Sequence, residues 1–432
     1  MKFIHAADIH LGYQQYGSEA RFNDFSKVFL HIVDQALQRD VDFVLLAGDL
    51  FEKRKVDPLA MRVAIQGLSQ LRDAEIPVLA VEGNHERSYY GEQYTWIDFL
   101  DAMDYFQLLD PRFENGRAIL EPCGETRGAY VDLPGGVRVY GLRYYGASTG
   151  KVFEMFAEAV ADVDDDDVGF SILMAHAGVE GQLPHYSGTL KYNALAPLRG
   201  HVDYLALGHI HKPYELEGWI YNPGSPETCG MDEVAWSDRG YYVVEVSQDD
   251  GSEPGTGSGR QAGHDAELIV PPRRPFHRMR LEVDGFKDPN ELYDGVRALI
   301  RREGDEVTLD PEPVVELILG GVLPFNRFDL DLAYVESLLE EAWSPLITRV
   351  RNRATPSEFE LDVDTEAARP ELERGIIQEL LERDARFRPE AEAWTKVALD
   401  LKQMTLEGSP PDAVIEALRD ARADISVEPE EG

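Results

Sequence analysis

Six short apolar runs lie in the first half of the chain, at 3–7, 43–47, 78–81, 137–142, 170–175 and 204–207, and most of them are halted by Gly, Asp or His. Runs this short and this continuous read as strands buried on both faces. Between them Phe22, Phe25, Val28, Phe29, Ile32, Val33 and Ala36 recur at helical spacing, and Leu59, Val63, Leu68 and Leu71 do so more loosely. Strands that need cover on both faces, alternating with one-sided helices, predict an α/β domain with sheets inside and helices outside.

The residues that stop the strands carry the chemistry. Asp8-Ile9-His10, Gly48-Asp49, Gly83-Asn84-His85, Ala175-His176 and Gly208-His209-Ile210-His211 each follow an apolar run. In open α/β sheets, ligand sites gather at the carboxyl ends of the strands. On an extended segment Asp8 and His10 project to one side, as do His209 and His211. Gly48 and Gly83 permit tight turns before Asp49 and Asn84. Taken singly, an Asp after a Gly is a turn residue, and His5, His31 and His201 read as packed or exposed histidines. The ordered set of five is different, because coincidence does not place Asp, Asn and His repeatedly at strand ends. Oxygen and nitrogen donors without thiolate suit two Mn2+ ions, with Mg2+, Fe2+ and Zn2+ left open. Two such ions side by side serve in-line phosphoester hydrolysis.

The bulk numbers set the frame. The chain has 432 residues and 43% hydrophobic content, enough for two or three domains with real cores. Cys123 and Cys229 are too few for a disulfide framework, which leads us to expect a reducing, cytoplasmic setting. No run is long enough for a membrane span, and the N-terminus enters a strand pattern directly. Against 42 basic residues stand 80 acidic ones, a formal net charge of −38. Such a surface ordinarily disfavours nucleic acid. Here the acids are spread over the whole chain and lysine is sparse relative to arginine, the pattern of a protein adapted to very high salt. At about 1 M salt the Debye length is roughly 3 Å, so net charge does not exclude a DNA substrate.

Five segments follow: an α/β domain at 1–250, a polar linker at 251–270, a small α+β module at 271–352, helices at 366–421 and an acidic, disordered tail at 422–432. The linker expectation rests on the Gly, Ser, Asp and Glu density of 247–266. In the helical segment Leu372, Ile376 and Leu380 form one stripe, and Trp394, Val397, Leu401 and Met404 another. Isolated helices have little to bury alone, so these faces are expected to dock on something.

The five motifs resemble those of the calcineurin-like metallophosphoesterases. The Asp8-Ile9-His10-Leu11-Gly12 opening and the Gly48-Asp49-Leu50-Phe51 turn resemble the Mre-eleven and SbcD nucleases in particular. The resemblance implies a layered αββα sandwich, a DNA-capping module after it, and terminal helices that bind a Rad-fifty-type ATPase. It implies Asp8, His10, Asp49 and His211 on a first ion, and Asp49, Asn84, His176 and His209 on a second. His85 is then left to assist protonation of the leaving oxygen. It further implies Mn2+-dependent exonuclease and endonuclease action at DNA double-strand breaks, association with the nucleoid, and a homodimer. The stripe Phe22, Phe25, Phe29 and Ile32, with Trp96, Phe99 and Leu100, offers a helical interface or a core. Glu52 stands where family members often place a second histidine. Lys53, Arg54, Lys55, Arg87, Tyr89 and Tyr90 are candidates for phosphate contact and base stacking. Competing readings are a DNA-end-binding scaffold and a small-molecule phosphodiesterase.

Overall fold

The computed structural model describes residues 1–87, 94–124, 127–163, 167–183, 188–247, 263–304, 306–356, 369–383 and 386–425. They divide into two compact units, Met1–Phe276 and His277–Gly432. Among the described residues no helix is long and apolar enough to cross a membrane. Tyr89 and Tyr90 lie outside the described residues.

In the first unit, β1 (Lys2–Ala6), β2 (Phe43–Leu46), β3 (Val78–Ala80) and β4 (Gln107–Leu108) run parallel in that order. Tyr241–Ser247 pairs antiparallel with β1, and Gly263–Ile269 pairs antiparallel with Tyr241–Ser247 to close the edge. A second six-stranded sheet has the order Tyr214–Leu216, Ile220–Asn222, Tyr204–Gly208, Phe170–His176, Val137–Leu142, Tyr130–Leu133. Its central strands are parallel.

Alternation along each strand assigns its two faces. Phe3, Phe43, Leu45 and Leu79 of the first sheet meet Val139, Phe170, Ile172, Met174 and Tyr204 of the second in a core between the sheets. The opposite face of the first sheet, with Ile4, Val44 and Leu46, packs against α1 (Glu19–Gln38), α2 (Pro58–Asp73) and α3 (Trp96–Ala102). The outer face of the second sheet is covered by the helix Thr149–Val160. This is the layered αββα sandwich, and each fully buried Phe or Leu in it contributes roughly 1.5–3 kcal/mol.

Two expectations change and one open choice closes. Residues 263–269, assigned to the linker, form the edge strand: Ala266 and Leu268 face the inter-sheet core while Asp265 and Glu267 face out. Its low hydrophobicity is that of an edge strand with one wet face, which hid its period of two. The aromatic stripe of α1 is buried: Phe29 and Ile32 pack under the first sheet, as does Leu100, and Phe25 is buried against Tyr13 and Arg21. Of that set, only Trp96 is an exposed large side chain, at 45%. Finally, the helix Pro411–Ile425 reaches into the segment assigned to the tail, whose remainder lies outside the described residues.

In the second unit Phe276–Glu282, Val314–Gly320 and Ile347–Asn352 form a three-stranded sheet. The helices Pro289–Glu303 and Leu332–Trp343 cover one face through Leu292, Val296, Val335, Leu339 and Trp343. Helices Arg369–Arg383, Ala391–Leu406 and Pro411–Ile425 follow.

Candidate metal centre

Every ligand candidate leaves the sandwich at the carboxyl end of a parallel strand: Asp8 and His10 after β1, Asp49 after β2, Asn84 and His85 after β3. His176 ends its own strand, and His209 and His211 follow Tyr204–Gly208. The loops after β1 and β2 stay hydrogen-bonded beyond the sheet, through Asp8 N to Gly48 O at 3.1 Å and His10 N to Asp49 O at 3.0 Å. The backbone is not extended there. Asp8, His10 and Asp49 all have φ of 53°, and His209 has 91°. Four non-glycine residues in the left-handed region at one site store strain of order 1–3 kcal/mol each, and that curvature, rather than strand alternation, brings Asp8, His10 and Asp49 within 4.8 Å of one another.

Two glycines make room. A Cβ on Gly48 would come 2.3 Å from His176 Nδ1, and one on Gly83 would come 2.0 Å from Asp49 Oδ1. Gly48, at φ +88°, also makes the turn expected of it, whereas Gly83 is required for close approach.

The donor atoms fall into two groups sharing Asp49. His176 Nδ1 donates to Ala47 O at 2.8 Å, which turns its Nε2 inward, 3.1 Å from Asn84 Oδ1 and 3.3 Å from Asp49 Oδ2. His209 Nδ1 lies 2.8 Å from the same Asn84 oxygen. On the other side His10 Nε2 and His211 Nε2 face each other at 3.1 Å. His211 Nδ1 is held by Glu233 Oε1 at 2.7 Å, and Glu233 is itself paired with Arg239. A carboxylate behind a histidine fixes its tautomer and raises its basicity as a ligand.

The field of the pocket calls for positive charge. Burial alone would raise the Asp49 carboxyl, yet the imidazoles of His176, His10 and His85 hold it well below the usual range. Burial likewise opposes charge on His176, but Asp49 overrides it and pushes its pKa up to about 9. Burial would raise Glu233 too, and the His211 contact brings it down to about 2. Buried donors that gather positive charge in this way fit divalent cations.

His85 lies against the group of His10: a ring nitrogen of each and a Glu52 carboxylate oxygen are within 4.8 Å of one another. Its N–H donates to Asp49 Oδ1 at 2.9 Å and its Nδ1 to Glu52 O at 2.7 Å, while Nε2 is 4.0 Å from Asp49 Oδ2 on a ring 35% exposed. Glu52 was noted in the sequence only as a departure. Its carboxylate lies in the site, Oε2 3.0 Å from His10 Nδ1 and 3.7 Å from His85 Nδ1. Sequence reasoning gave no role to Glu233, Cys229 or Glu86; the first two belong to no strand-end motif, and Glu86 directly follows Gly83-Asn84-His85. Glu86 accepts from Phe51 N at 3.0 Å and Gly83 N at 2.9 Å, tying the loops after β2 and β3, and burial raises its pKa to about 8. His5 is a core residue, bonded to Tyr204 Oη and Leu207 O.

Lys53 and Lys55, with Arg62, line a cleft of about 640 Å³ that begins at Leu11 and Gly12, directly after His10. Arg87 is exposed beside the site.

Residues 1–213 of this two-sheet sandwich match the model of the calcineurin-like phosphoesterases. The particular relatives are narrower in kind. The chain is 32% identical over 238 residues to the "DNA double-strand break repair protein Mre11" of Archaeoglobus fulgidus, covering 54% of this chain and 52% of that protein. It is 28% identical over 438 residues to the protein of the same name from Haloferax volcanii, covering 98% and 86%. The "Uncharacterized metallophosphoesterase YhaO" of Bacillus subtilis is 29% identical over 362 residues, covering 79% and 76%. The match thus spans about half the length of the Archaeoglobus relative and most of the other two.

Proposed function

We propose that the chain is a two-metal DNA nuclease that processes double-strand ends. The observation that carries this reading is the convergence of seven donor residues from two sheets on two adjoining seats that share Asp49. Asp8, His10, Asp49 and His211 would hold one ion and Asp49, Asn84, His176 and His209 the other. Two divalent ions, when bound, activate water for attack and neutralise the phosphoryl oxygens.

The chain's own groups do the rest. Gly48 and Gly83 let Asp49 sit between the seats. His176 and His211 are held in one tautomer by Ala47 O and Glu233. His85, anchored through Nδ1, keeps Nε2 at the rim where a leaving oxygen takes its proton. Lys53, Lys55 and Arg62 lead a phosphate backbone toward His10, and Arg54 and Arg87 are further candidates for such contacts.

Mn2+ is the ion we assign, as the oxygen and nitrogen donors suit it. A Rad-fifty-type ATPase is the proposed partner of the helices between Arg369 and Ile425, supported by the exposed Leu380, Leu406, Ile415 and Leu418. A homodimer belongs to the same reading, although the α1 stripe does not supply its interface. So does a cytoplasmic, nucleoid-associated location.

The test compares Mn2+-dependent cleavage of linear duplex DNA, closed circular DNA and a nucleotide diester in high salt. End-dependent cleavage supports the nuclease. Turnover of the diester alone makes the protein a small-molecule phosphodiesterase, and DNA-end binding without cleavage makes it a scaffold.

A further inference from the structure

The two histidines that face each other carry more information than their spacing. His211 Nδ1 lies 2.7 Å from Glu233 Oε1, and His10 Nδ1 lies 3.0 Å from Glu52 Oε2. The Nε2 atoms, on the other side of each ring, are the ones turned toward each other. Those two atoms stand 3.1 Å apart in a site where His10 is 1% exposed. Two nitrogen donors at that separation can serve one cation together.

A third donor reaches the same seat. Cys229 Sγ and a ring nitrogen of each histidine lie within 4.8 Å of one another. One ion between them would have two nitrogen donors and one sulfur donor within reach. The position of Cys229 is built. Its N–H donates to Glu233 Oε2 at 2.8 Å, while Oε1 of the same carboxylate holds His211. Arg239, bonded to Glu233 and Thr228, secures that carboxylate from behind. One buried glutamate therefore sets both a ligand histidine and the cysteine next to it. The thiol already contacts the His211 side chain, and its other contact, to Glu227 O at 3.7 Å, is weak.

We propose that Cys229 is a ligand to the ion held by His10 and His211, and that this seat therefore prefers thiophilic divalent cations, Zn2+, Fe2+ or Co2+, over Mn2+ and Mg2+. The sulfur–metal bond forms as Sγ loses its proton to solvent, with no change of oxidation state. The inference rests on the two-metal reading given above and alters the ion assigned to one of its seats.

Co2+ alone, titrated into the full chain, separates the two. Visible d–d bands report that an ion is bound, and a near-ultraviolet sulfur-to-cobalt charge-transfer band reports the thiolate. Wild type and Cys123→Ser, which removes the other cysteine, should show both bands. Cys229→Ser should keep the visible bands, lose the near-ultraviolet band, and lower the Zn2+ over Mn2+ affinity ratio at least tenfold. Visible bands without charge transfer in wild type, or a charge-transfer band that survives in Cys229→Ser, would overturn the cysteine ligand and leave the metal pair standing. No cobalt bands at all would overturn the metal pair itself, and the inference with it.

Discussion

Asp8 accepts the backbone N–H of His209 on both carboxylate oxygens, at 3.0 and 2.9 Å, so the end of β1 in one sheet is fastened to the end of Tyr204–Gly208 in the other. The same carboxylate that is assigned to an ion also positions a histidine assigned to its neighbour. Asp8→Asn keeps an oxygen acceptor for that N–H and removes the charge. Its melting temperature without metal should stay within a few degrees of wild type, while Mn2+ affinity falls more than about a hundredfold, beyond the range seen for outer-shell changes. Calorimetric titration with Mn2+ beside thermal melts checks this, and unaltered affinity would remove Asp8 from the ligand set.

His85→Asn should leave both ions bound and lower hydrolysis by about 10²–10⁴-fold, the usual contribution of a positioned acid or base. The expectation follows from its Nδ1 being committed to Glu52 O and its ring lying at the rim. Ion counting by calorimetry and a cleavage assay on one preparation decide it. Loss of an ion would make His85 a ligand instead.

Glu52 Oε2 stands 3.0 Å from His10 Nδ1, an ion-pair contact without the hydrogen bond that Glu233 makes to His211. Outer-shell carboxylates of this kind are worth roughly 10–100-fold in metal affinity. Glu52→Gln should therefore weaken the metal-binding step that involves His10 by about that factor and leave the other unchanged, widening the gap between the two steps of the wild-type titration. Equal weakening of both steps would point to a general loss of negative charge and not to His10.

The strand-end motifs and the helix-to-strand alternation were legible because burial on both faces writes continuous apolar runs, and because ligands must follow them directly. The strand-end position of the seven candidates, sheets inside with helices outside, and the separation of His5 from the site came from that logic, while the αββα layering was implied by the family resemblance. Glu233 and Cys229 were not legible, since their roles depend on a loop folding back from residues 225–239 onto His211, and no periodicity encodes that return. The backbone of Asp8 and His10 was misjudged for a related reason: alternation describes a strand, and these residues lie one step past its end. Gly263–Ile269 was lost to composition, because an edge strand with one wet face looks like linker.

His5 is fully buried and its pKa is lowered to about 3 by that burial, against 6.5 unfolded. The unfolded chain therefore binds a proton between those values that the folded chain refuses, so this group's contribution to stability falls as pH drops below 6.5 and stops falling near 3. The full span is on the order of 5 kcal/mol. His5→Gln, which can still bond Tyr204, should flatten that slope. Urea unfolding midpoints at pH 7 and pH 5 measure it, and equal slopes in the two proteins would show that the acid sensitivity lies elsewhere.

The net charge of −38 is spread through both units of a fold whose cores are otherwise ordinary. Self-repulsion among exposed carboxylates acts over a Debye length of about 10 Å at 0.1 M salt and roughly 3 Å at 1 M. The compact state is thus opposed at low salt and relieved at high salt, while the buried sheets contribute equally in both. The melting temperature should rise steadily with KCl from 0.1 M to several molar by more than roughly 10 °C, since even 2–4 kcal/mol moves domains of this size several degrees. NaCl should act like KCl if screening is the cause. A melting temperature that is flat across that range, or that rises only with sulfate, would assign the acidic surface to something other than life at high salt.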